Sequence, residues 1–118
     1  MKIQADKIEG KPTHGLSVDE VRSILASVPP AWIEGLTNVR LANGHHRADA
    51  HFSRYDGLLT IYSRHGTTRE ILVAILSVLA APSLNIQSTV SRSPKKAEKH
   101  RLEQFIQPFV DQILPALT

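Results

Sequence analysis

Between residues 17 and 28, apolar side chains recur at Val18, Val21, Leu25 and Val28, with Ile24 beside them and Arg22 and Ser23 on the opposite side. That spacing predicts an amphipathic helix. "SVDE" at Ser17–Glu20 opens it as a capping box, the serine hydroxyl accepting from the third helical amide while Glu20 reaches back to the cap. Pro29-Pro30 ends it, since neither can donate to the preceding turn and a residue before proline avoids helical geometry. "AWIEGL" follows as a short turn-like element that Trp32 and Leu36 anchor to the core. The period then changes to two. "NVRLANG" predicts a first strand ending at Asn43-Gly44. "RADAHFSRYDG" places Ala48, Ala50 and Phe52 on one face and Asp49, His51 and Ser53 on the other. Tyr55-Asp56-Gly57 turns the chain into a third strand, "LLTIYS", and an Asp-Gly turn between two such runs predicts an antiparallel hairpin.

"TTREILVAILSVLAAP", Thr67 to Pro82, is apolar nearly all round and predicts a central helix covered on most sides. Thr67 or Thr68 caps it, Glu70 suits the positive end of the helix dipole, and Pro82 closes it. "SLNIQSTVS" reads either as a short strand or as an irregular crossing. Ser93-Pro94 starts a last helix whose stripe of Leu102, Phe105, Ile106, Phe109, Val110, Ile113, Leu114 and Leu117 is the most regular period in the chain. Pro108 falls inside it and predicts a kink or a split. Residues 1–15 read as a loosely ordered lead-in. The expected fold is one α+β domain over residues 1–118: an N-terminal helix, a small, mainly antiparallel sheet of about three strands, a buried central helix and a long amphipathic C-terminal helix.

Composition narrows the chemistry. With 118 residues and 42% hydrophobic content the chain is long enough for a real core, and with no cysteine it has neither disulfides nor thiolate sites. "MKIQADKIEGKP" lacks the apolar stretch of a secretory signal, and the longest apolar run is too short to span a bilayer. A soluble, cytoplasmic protein with no membrane partner is the expectation. The net charge of +3 comes from one segment: Arg92, Lys95, Lys96, Lys99 and Arg101 stand against Glu98 alone, so the rest of the chain is slightly acidic.

Lys95, Lys96, Lys99 and Arg101 at a helix start are candidate contacts for a nucleic-acid backbone. The plainer reading is a solvated surface, and 5% aromatic content argues against a stacking platform for single strands. Of the histidines His14, His45, His46, His51, His65 and His100, none has the i, i+4 spacing of a helical metal pair. Asp49 and His51 share a strand face and form a candidate polar site with His46 or His65 nearby, for a metal or as a general base. The competing reading places them on the solvated side of a small sheet. Neither a nucleophile-elbow motif nor a phosphate loop is present, and Ser53 or Ser63 near a histidine means nothing without geometry.

The order of elements resembles the minimal core of the zincin metallopeptidases, the HExxH family, over roughly residues 17 to 117. "VPPAWIEGLTNVRL" looks like the linker into the first strand, "ADAHFSRYDGLLTIYS" like the hairpin ahead of the active-site helix, and "REILVAILSVLAA" aligns without a gap on a typical "EEILxxLLHELGH". The resemblance implies a helix leading into a sheet, a strand running directly into the active-site helix, and a further helix that supplies the third ligand. It also implies where the site should be, and there this chain departs from the pattern. Ser77 and Ala81 stand where the two histidines belong, Val78 where the glutamate belongs, and the third ligand would come from near Glu98. A hydroxyl is a poor zinc ligand, and valine and alanine offer none. Either this is an ordinary core helix, or it is an eroded site refilled with apolar side chains. Both readings imply no catalytic residue, no metal and no cofactor. They leave a domain that acts by binding, through a protein partner or as a homodimer if the last helix exposes apolar surface. The rivals are a basic nucleic-acid binder and a hydrolase built on Asp49 and His51.

Overall fold

A computed structural model describes residues 2–6, 14–42, 47–84 and 96–117. In chain order the elements are strand β1 (Lys2–Ala5), helix α1 (Val18–Ser27), strands β2 (Asn38–Ala42), β3 (Asp49–Ser53) and β4 (Leu58–Tyr62), helix α2 (Thr68–Ala80) and helix α3 (Lys96–Leu117). Short 3₁₀ turns at Pro30–Ile33 and Ala81–Leu84 follow α1 and α2. The class is α+β, as the alternating and helical periods predict.

The sheet corrects the sequence-based expectation in two ways. Among the described residues it has four strands, in the order β1-β2-β4-β3, and it is mixed rather than mainly antiparallel. β1 runs parallel to β2 and β2 parallel to β4, while only β3 and β4 form the antiparallel hairpin that the Asp-Gly turn predicts. β2 and β3 are consecutive in sequence but not neighbours, because β4 inserts between them and leaves β3 at the edge. The extra strand, β1, lies within the stretch read as a loose lead-in. Its exposed Lys2, Gln4 and Ala5 give no inward-outward signal.

Alternation sets the two faces. Val39, Leu41, Leu59 and Ile61 are buried on one side of the central strands, in one core with the buried side chains of α1, α2 and α3. Asn38, Arg40, Leu58, Thr60, Tyr62, Asp49, His51 and Ser53 alternate to the other side. The hairpin turn requires Gly57, whose φ of +69° lies in the left-handed region and whose carbonyl accepts from the amides of Thr37 and Asn38 at 2.8 and 3.0 Å. These bonds tie the hairpin to the entrance of β2.

The capping box predicted at Ser17 and Glu20 forms, and Thr67, one of the two expected caps of α2, forms a second such box with Glu70. Trp32 is buried and packs against Phe109 at a ring separation of 4.7 Å, which anchors the turn after α1 to the last helix. α3 runs unbroken through Pro108 and Pro115, so the expected split does not occur. Pro108 lies on the exposed side, opposite buried Leu102, Ile106, Val110 and Ile113, and water can serve the Gln104 carbonyl that it leaves without an amide. The stripe of α3 is largely covered: among the large hydrophobic side chains of the described residues only Tyr55 and Phe105 are exposed. Asn43, Gly44, the "NIQSTVS" part of the expected crossing and the expected helix start at Ser93-Pro94 lie outside the described residues, as do His45, His46, Arg92 and Lys95. No helix among the described residues is long and apolar enough to cross a membrane.

Candidate functional site

α2 is the element on which the resemblance to a metallopeptidase turns. Its start is fixed by reciprocal bonds: the Glu70 amide donates to the Thr67 hydroxyl at 3.2 Å, and the Thr67 amide to the Glu70 carboxylate at 3.1 Å. Beyond Glu70 the helix carries no ionisable side chain. Ile71, Leu72, Ile75, Leu76 and Leu79 are fully enclosed and tie it to the core. Ser77 and Val78 lie half-buried on the flank of that apolar face. Ala81, at the C-cap, is buried, and its N–H donates to the Ser77 carbonyl. Residues four apart project from the same side of a helix. The positions that would present two imidazoles therefore present a hydroxymethyl and a methyl, one of them at the end of the helix. Glu98 sits half-buried in the first turn of α3. No group of three or more histidine, aspartate or glutamate side chains among the described residues is placed to hold a metal ion.

The outward sheet face brings Asp49 and His51 together. Asp49 opens β3 opposite Tyr62, and His51 pairs in register with Thr60. His51 Nε2 lies 3.7 Å from Asp49 Oδ2, beyond direct hydrogen-bond distance, and the His51 ring meets Tyr62 edge-on at 5.9 Å. The other Asp49 oxygen accepts from the Ala50 amide at 2.8 Å. Both side chains are about one-third exposed. His65 is half-buried in the connection from β4 to α2.

On α3, Lys96, Lys99, His100 and Arg101 are all exposed, so the described part of the basic segment is solvent-facing as its composition suggests.

The structure also forms a polar junction that no sequence pattern announces. Ser63 continues the inward alternation of Leu59 and Ile61 and is the one fully enclosed polar residue among those described. Its hydroxyl lies 2.7 Å from His14 Nδ1, and His14 Nε2 lies 2.9 Å from the Asp6 carbonyl. A carbonyl only accepts, so Nε2 carries the proton, and in the neutral ring Nδ1 accepts from the serine hydroxyl. This is the pairing of a serine nucleophile with a histidine base, yet with zero exposure Ser63 cannot meet a substrate carbonyl. The bond is a structural tie across 49 residues of sequence. Beside it, Arg40 forks onto the Asp6 carboxylate, with Nε at 3.0 Å and Nη2 at 2.8 Å. The hydrogen bond first, and the charge of Asp6 second, hold the Arg40 guanidinium above its ordinary pKa.

No protein-family model, curated protein or solved structure matches the chain.

Proposed function

We propose that the chain is a zincin-like domain without its zinc site, acting as a protein-binding or regulatory module rather than by chemistry. The order of elements supports the likeness: α1 precedes β2, β4 leads through residues 63–67 directly into α2, and α3 follows. The observation that carries the functional reading is the donor set on α2 and α3. A catalytic zinc takes three protein ligands plus a water, and a glutamate draws a proton from that water. Ser77, Val78, Ala81 and Glu98 offer one hydroxyl and one carboxylate between them. With zinc supplied in excess, hydrolysis of a mixed fluorogenic peptide library should stay at the blank rate. Zinc-dependent turnover that a chelator abolishes overturns the reading.

A second reading draws on the exposure of Lys96, Lys99 and Arg101: the start of α3 contacts a nucleic-acid backbone. Each neutralised phosphate adds about −0.9 to the slope of log affinity against log salt on duplex DNA. A flat salt response in a duplex titration rejects it.

A further inference from the structure

The two ends of the N-terminal stretch are held differently. At 14–16 the chain is pinned: Leu16 is buried, the Gly15 amide donates to the Ser63 carbonyl at 2.6 Å, and His14 bonds the enclosed Ser63 hydroxyl. β1 buries little. Lys2, Gln4 and Ala5 are exposed, and only Ile3 reaches part-way into the core. Among the described strands it lies at the sheet edge and pairs with β2 alone. The Lys2 amide extends that ladder to the Thr37 carbonyl at 3.2 Å.

Asp6 supplies a further hold. Its amide donates to the Leu41 carbonyl at 2.8 Å, its carbonyl accepts from His14 Nε2 at 2.9 Å, and its carboxylate takes the Arg40 fork. Segments with few buried apolar contacts open at a lower free energy than the core to which they attach. We infer that β1 is a separable edge strand that opens while the core stays folded, and that Asp6 is its lock. Opening uncovers the outer edge of β2, whose Val39 and Leu41 remain anchored in the core.

The test is native-state hydrogen exchange on the full chain at low urea concentrations. Protected amides of β1 should exchange faster than those of β4 and α2, with a weak urea dependence. Arg40→Gln should speed β1 exchange by about two- to fivefold, the range for an exposed ion pair, and leave α2 unchanged. If β1 and α2 amides share one urea-dependent opening, or if Arg40→Gln shifts both sets alike, the inference is wrong.

Discussion

At Gly15 a single methyl group decides the sign of a stability change. Replacing an unstrained glycine by alanine ordinarily stabilises by about 0.4–1 kcal/mol, because the unfolded chain loses freedom. Here a Cβ would meet Ile71 Cδ1 at 2.5 Å and the Ser63 carbonyl at 3.3 Å. Ile71 is fully enclosed in the core, and the Ser63 carbonyl is already bonded to the Gly15 amide at 2.6 Å. Overpacking of this kind costs about 1–3 kcal/mol, which outweighs the entropic gain, so Gly15→Ala should destabilise by about 1–2 kcal/mol. Ile71→Val removes the clashing methyl and alone costs about 0.5–1.5 kcal/mol. If the clash is the cause, the double variant should be more stable than the summed single effects by about 1 kcal/mol. Urea unfolding with an unchanged m-value reads all four corners of the cycle. Additivity to within about 0.5 kcal/mol, or a Gly15→Ala chain as stable as the parent, refutes the claim that residues 14–16 are wedged against α2.

Thr67→Ala removes the hydroxyl that accepts the Glu70 amide and should lower stability by about 1 kcal/mol, while Thr67→Ser should retain most of it; thermal unfolding distinguishes the two. Pro108→Ala returns an amide to the interior of α3 at an exposed position with no core packing to lose. It should raise stability by up to about 3 kcal/mol in urea unfolding, and a loss would mean that Pro108 supports the helix in a way its exposure hides.

The elements that the sequence disclosed best are those whose signals are local. Ser17-x-x-Glu20 specifies a helix start within four residues and forms as read, and Thr67 takes the cap that the sequence left between Thr67 and Thr68. The β3–β4 hairpin likewise follows from its turn and its alternation. Strand direction is different, because it depends on which strands become neighbours. β4 inserts between β2 and β3, and nothing within "NVRLA" or "DAHFS" records that choice. β1 escaped because an edge strand that buries one side chain part-way needs no alternating pattern. Pro108 does not split α3, because the cost of a helix-interior proline depends on whether its freed carbonyl reaches water, and that is a property of the packed helix face.

The candidate site was legible in a narrower sense. Residue chemistry alone showed that Ser77, Val78 and Ala81 cannot replace two imidazoles and a carboxylate. The structure adds that Ala81 is buried at the very end of α2, where an imidazole would need space that the core occupies. Asp49 and His51 were read onto one strand face and lie there, 3.7 Å apart. The His14–Ser63 tie had no signal to find, because it joins a residue ahead of the first helix to one at the end of β4.

α2 lacks the donors for a catalytic metal, and metal content measures that directly. The purified 118-residue chain, incubated with excess zinc and dialysed at neutral pH, should retain far less than one equivalent by elemental analysis. One zinc per chain, kept through dialysis and removed only by a strong chelator, would contradict the account.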